Sequence, residues 1–123
     1  VGFLGMLLAV VGSCDDDFGD YSPQHRVDSA TAFVSALNRR ELEAIGPLID
    51  SDAVYVSSDG NRNLADTLNE LDASNSDSQY EVLGNLVTEE TVTLSVRDRS
   101  DGDQQVLIFD FGGKCIFEYN ELD

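Results

Sequence analysis

The chain predicts an α+β fold, and three observations carry the prediction. Val27, Ala30, Val34 and Leu37 recur at helical spacing, with Phe33 beside them. Residues 91–97 alternate cleanly, with Val92, Leu94 and Val96 on one face and Thr91, Thr93 and Ser95 on the other. Helical signals come first and strand signals last, which separates the two kinds of element instead of interleaving them.

The elements follow in order. Ser22-Pro23 opens a first helix, with Ser at the cap and Pro in the first turn, running to about Arg40. Residues 41–49 predict a second, short helix showing Leu42, Ile45, Leu48 and Ile49, bent at Pro47 by the missing donor. Residues 53–57 read as a strand, and Ser58-Asp59-Gly60-Asn61 as a turn. Leu64, Leu68 and Leu71 share one side of a third helix, and residues 73–78 form a polar loop. Four strands end the chain, over residues 80–87, 91–97, 106–111 and 115–119. Ser100-Asp101-Gly102-Asp103 and Gly112-Gly113 supply turns between them. The helices must cover one face of a curved antiparallel sheet.

The amino-terminal region points to a location. Phe3 to Val11 is an apolar run, followed by Gly12-Ser13-Cys14 and then Asp15-Asp16-Asp17. The run is shorter than the about 20 residues needed to span a bilayer, and it has the length of a signal-peptide core. Small residues, a cysteine and abrupt charge form the pattern of a lipoprotein signal over residues 1–13, with Cys14 as the lipid acceptor. Residues 14–22 then read as a lipid-anchored acidic tether and residues 23–123 as one domain. Stable anchoring takes two or more acyl chains. The chain starts with Val and has no Lys or Arg ahead of the run, which a missing start or an alternative start codon would explain. If Cys14 carries lipid, Cys115 is a single thiol, read as a small buried hydrophobe; otherwise the two can form a disulfide.

The formal net charge is −17, from 24 acidic and 7 basic residues, and Lys114 is the only lysine. Such a balance excludes electrostatic binding to nucleic acid, which needs cations on phosphates. It also disfavours a charge-driven hold on an anionic membrane. Asp-rich, Lys-poor composition fits a halophilic, high-salt setting as well as an ordinary acidic exported domain. One histidine and two cysteines without ligand spacing leave no basis for a structural zinc site, and no cofactor motif is present.

Three segments resemble one family in order. Phe33 to Ile45 is similar to the opening "ALNAGDLDAI" of the nuclear transport factor 2-like superfamily, which includes SnoaL-like proteins and ketosteroid isomerase. Leu48 to Val56 resembles its "LFADDAVYV" step into the first strand, and Phe109 to Lys114 its closing "FRF…GK" turn. The resemblance implies a cone: a curved sheet around the first helix, with an apolar pocket at the open end.

It also implies where isomerase chemistry would sit. That enzyme needs a carboxylate base, an oxyanion Tyr and a protonated Asp. The matching positions hold Ser57, Phe33 and Leu107, so the resemblance implies a pocket without that proton-transfer machinery. Phe33, Leu107 and Phe109 would line the pocket with apolar surface, and Tyr55 and Ser57 would add hydroxyls. For each aromatic the competing reading is plain core packing.

Other candidates carry less. His25 near the first helix start reads as exposed or capping. Asp50 and Asp52 could pair as acid and base, but a helix-to-strand junction commonly holds solvated acids. Asp15, Asp16, Asp17 and Asp20 lack the spacing of a calcium loop, and Glu89-Glu90 reads as a turn. The expectation is therefore a membrane-anchored, extracytoplasmic domain that binds a small apolar ligand or a protein partner without catalysis. The alternative is a SnoaL-like isomerase, cyclase or hydrolase using pocket acids outside the motif. A pure interaction module, pairing as a homodimer through its open sheet face, is the third reading.

Overall fold

The computed structural model describes residue 14 and residues 23–73, 79–88, 90–112 and 115–122. The expected signal, most of the tether with its acidic cluster, the Ser22 cap and Glu89 lie outside the described residues.

Helix α1 spans Pro23–Asn38 and buries Ala30, Phe33, Val34, Ala36 and Leu37 on one stripe. Proline is tolerated at the first helical position, where its missing N–H would have no partner in any case. The helix ends two residues before the sequence expectation, for a local reason. The Arg40 N–H donates to the Leu37 carbonyl (3.2 Å) and the Glu41 N–H to the Ala36 carbonyl (2.9 Å). These are the two bonds of a Schellman stop, with Arg40 in its left-handed position at φ 57°.

The expected second helix is replaced by two 3₁₀ turns, Leu42–Ala44 and Gly46–Leu48. Pro47 has no N–H to donate within an α-helix, and the chain instead closes a tighter turn in which the Leu48 N–H donates to the Ile45 carbonyl (2.8 Å).

One mixed sheet follows, in the order β2-β1-β6-β5-β4-β3. Its strands are β1 (Ile49–Ser57), β2 (Gly60–Asn63), β3 (Tyr80–Val87), β4 (Thr91–Asp98), β5 (Gln104–Gly112) and β6 (Cys115–Leu122); helix α2 (Leu64–Ala73) lies between β2 and β3. Two features depart from the expected meander. Residues 60–63 form a strand paired antiparallel with β1, and β1 runs parallel to β6. Register shifts at Val82/Gly84, Asp110/Phe111 and Ile49/Val54 mark bulges or irregularities, which bend and twist a sheet. The curved inner face receives α1, which packs against β3 and β4. Val92, Leu94 and Val96 are fully buried there, as the alternation of β4 requires.

Cys14 and Cys115 are joined by a disulfide, with their Cα atoms 5.9 Å apart. The Cys14 N–H also donates to the Ile49 carbonyl (3.1 Å). The disulfide is the second of the two uses that the sequence leaves open for the Cys14 sulfur. Cys115 is buried, as expected, but as half of a cross-link.

Candidate functional site

The site is built on β6. Strand alternation sends Tyr119 and Glu121 to the same inner face, two residues apart. Tyr119 lies in register with Tyr55 of parallel β1 and with Phe109 of antiparallel β5. The result is a row of three aromatic rings across the sheet. Centroids are 5.9 Å apart for Tyr55 and Tyr119 and 5.1 Å for Phe109 and Tyr119. Phe33 of α1 closes on this row from above, 5.1 Å from Tyr119 and edge-on to Phe109 at 5.2 Å.

Beyond Tyr119 the row opens into a cavity of about 130 Å³. Leu37, Leu64 and Leu68 form its apolar wall, and Tyr55, Tyr80 and Tyr119 its aromatic one. Thr67, Arg40 and Glu121 complete the lining. Drug-sized pockets run to about 300–1,000 Å³, whereas a cavity near 150 Å³ holds one benzene ring. The hollow therefore takes a single ring or a short chain, not a four-ring steroid.

Glu121 is the carboxylate of the site. The Tyr119 hydroxyl donates to its Oε2 at 2.7 Å, and the Tyr55 hydroxyl approaches its Oε1 at a long 3.5 Å. All three phenols are held above the ordinary tyrosine range. Burial is the largest cause for each, and the negative charge of Glu121 adds to it. At neutral pH the phenols are neutral donors, and Glu121 accepts from Tyr119.

Helix α1 positions the rest. The Asn38 side chain reads the backbone of Tyr80 like a neighbouring strand: its Nδ2 donates to the Tyr80 carbonyl (2.7 Å), and its Oδ1 accepts the Tyr80 N–H (2.8 Å). The Gln79 amide donates to the Asn38 carbonyl (2.7 Å). This clamp fixes the start of β3, and with it the Tyr80 ring, against the end of the helix. Two residues on, Arg40 enters the cavity wall from a backbone conformation that costs a residue with a β-carbon about 1–2 kcal/mol.

The expected pocket residues divide. Tyr55 lines the cavity. Phe33, Leu107 and Phe109 are 0% exposed core residues and are not among its lining side chains. They seal the floor behind Tyr119, so the core reading describes their place. The Ser57 hydroxyl is turned away and donates to the Gly60 carbonyl (2.8 Å) in the β1–β2 turn. It borders an open surface groove with Val56 and Asn120. Among the described residues no group of three or more His, Cys, Asp or Glu side chains could hold a metal ion. Asp50 accepts the Asp52 N–H (2.9 Å), a local turn bond at an exposed junction.

Glu121 and Arg40 are the residues that sequence reading missed. Ending the last strand at Tyr119 hid Glu121; continuing the alternation two residues places it inside. Glu121 also lies directly across from Leu107, the position where the isomerase resemblance places an acid. A carboxylate thus stands one strand away from the matched position. Arg40 stands where the motif resembled by Phe33 to Ile45 has glycine, and that substitution was its available signal.

No protein-family model matches the chain, and no curated protein matches it. Solved structures do. A SnoaL-like protein of unknown function from Burkholderia thailandensis superposes with a TM-score of 0.70 at 15% identity, over 83% of this chain and 97% of that one. AclR, a hydroxylase candidate from Streptomyces galilaeus, gives 0.66 at 21% identity over 82% and 90%. A ketosteroid isomerase candidate from Kribbella flavida gives 0.68 at 19% identity over 80% and 76%. At these identities the likeness carries architecture and not activity. The chain therefore has the fold of the SnoaL-like, nuclear transport factor 2-like proteins.

Proposed function

We propose that this domain binds a small, largely apolar molecule of one-ring size and orients it through the Tyr55–Tyr119–Glu121 group. The observation that carries this reading is the Glu121 carboxylate in the wall of a mostly apolar and aromatic cavity, bonded at 2.7 Å by Tyr119. A carboxylate with lone pairs to spare selects a ligand that brings a hydrogen-bond donor. Binding is favoured over proton abstraction because one oxygen of Glu121 is already engaged by the Tyr119 hydroxyl at 2.7 Å, which suits a fixed acceptor. The Cys14–Cys115 disulfide supports an extracytoplasmic setting, where oxidising conditions preserve such bonds. Lipid anchoring at Cys14 is an alternative use of the same sulfur.

Acid–base catalysis by Glu121 is the second reading, favoured by its place across from Leu107. Replacement of Glu121 by Gln separates the two. Titration calorimetry with phenol-sized ligands should show a loss of about tenfold or more for donors such as phenol, and little change for toluene. That loss corresponds to the about 1.5–3 kcal/mol of a hydrogen bond to a charged group. Unchanged phenol binding would remove Glu121 from the recognition site. Retained binding with abolished turnover of any substrate found would establish the second reading.

A further inference from the structure

Arg40 is the only non-glycine residue with positive φ among the described residues. It occupies the stop position of α1 that glycine ordinarily fills, because glycine has no β-carbon to crowd the turn. Arginine gains nothing from this backbone conformation. What it gains is placement: its side chain lines the cavity wall that also carries Glu121 and Tyr80. Burial does most to hold the Tyr80 phenol up; the charge of Glu121 adds to it and that of Arg40 opposes it. The cavity wall thus includes one basic and one acidic residue among its aromatic rings and leucines.

We propose that Arg40 makes this pocket selective for small organic acids, holding the ligand's carboxylate while Glu121 takes a donor at its other end. The inference rests on the pocket reading above and names its ligand class. A guanidinium matches a carboxylate through two parallel N–H bonds, and its five donors serve more than one acceptor at once. The chain's charge makes such a group necessary. An organic anion is repelled at long range by a protein of net charge −17, so a local cation at the half-buried cavity wall is what admits it. The cavity volume limits the acid to one ring or a short chain.

The test uses matched pairs of acid and neutral amide: benzoate with benzamide, 4-hydroxybenzoate with 4-hydroxybenzamide, and butyrate with butyramide. Affinities are measured by calorimetry at about 0.15 M salt, where screening confines the influence of distant charges to roughly 8 Å. The intact protein should prefer each bound acid over its amide by about tenfold or more, most of all for 4-hydroxybenzoate. Arg40→Gly should abolish the preference while raising Tm by about 4 °C, because it relieves the left-handed backbone. A more stable variant with lost acid selectivity cannot be explained by damage to the fold. Arg40→Lys should keep part of the preference. Equal affinity for acids and amides, or selectivity surviving in Arg40→Gly, would overturn the inference and leave the pocket reading standing. Failure of every compound to bind would remove both.

Discussion

The two ends of strand β6 differ in what they do with burial. At Cys115 the strand is sealed: its side chain is 0% exposed, Ile116 beside it is also fully buried, and the disulfide ties it to Cys14 next to Ile49. At Glu121 the same strand carries a half-buried carboxylate into a cavity. Between them Tyr119 belongs to both, with its ring in the core and its hydroxyl on Glu121. One end is chosen for stability and the other for chemistry. The boundary is one aromatic side chain, where the inner face turns from the Phe33–Phe109 floor to the Tyr55–Tyr80 wall.

Breaking the sealed end should cost most. Phe33→Ala removes a fully buried ring from the floor and should destabilise by about 3–5 kcal/mol in urea unfolding. Loss of only about 1 kcal/mol would mean that the floor is loosely packed and that the cavity extends beneath Tyr119. Cutting the cross-link comes close behind. The cysteines are 101 positions apart, and a loop of that size gives up to about 4.7 kcal/mol by the chain-entropy account. Cys115→Ser should lower Tm strongly, whereas reducing agent should leave that variant's melt unchanged. Intact mass of the native protein separates a disulfide, two hydrogens lighter than the dithiol, from an acylated Cys14.

The smallest effect sharpens the contrast between the two faces of β5 and β6. On the outer face Asp110 and Glu118 lie directly opposite each other, and Thr91 donates to Asp110 at 2.7 Å. Partial desolvation, then the Asp110 hydrogen bond and charge, hold the Glu118 carboxyl above the usual glutamate range. The folded chain keeps this proton more tightly than the unfolded one. Its contribution is present below the ordinary glutamate pKa and is lost as pH rises through the raised value. Asp110→Asn should flatten that part of a stability-against-pH profile, with a small gain at neutral pH. A steeper profile would show that the outer pair attracts instead of repelling.

Much of the scaffold was legible because β4 and α1 obey simple periods, and both bury the faces those periods select. Residues 60–63 were not legible: all four of Gly-Asn-Arg-Asn are exposed at a sheet edge, so the only strand signal is the bonding with β1. The parallel pairing of β1 with β6 was hidden because register between distant segments leaves no local trace. The site was half legible. Tyr55 follows from strand alternation, but no local pattern tells whether Phe33, Leu107 and Phe109 line a cavity or pack beneath it; they are fully buried. Cys14 fits two chemistries: the local pattern around it points to lipid attachment, whereas the disulfide depends on Cys115, which is distant in sequence.

The pairing of β1 with β6 has a consequence for how the molecule is made. While β1 emerges, it can pair only with its hairpin partner β2; its other edge waits until the whole of β3, β4 and β5 has been synthesised. A ribosome-bound nascent chain therefore carries an unsatisfied strand edge until β6 is made, and the cavity beside Tyr119 cannot exist before β6 docks. Closing so long a loop is the slow kind of event in folding, and chaperone capture of the waiting edge is where misassembly would be averted.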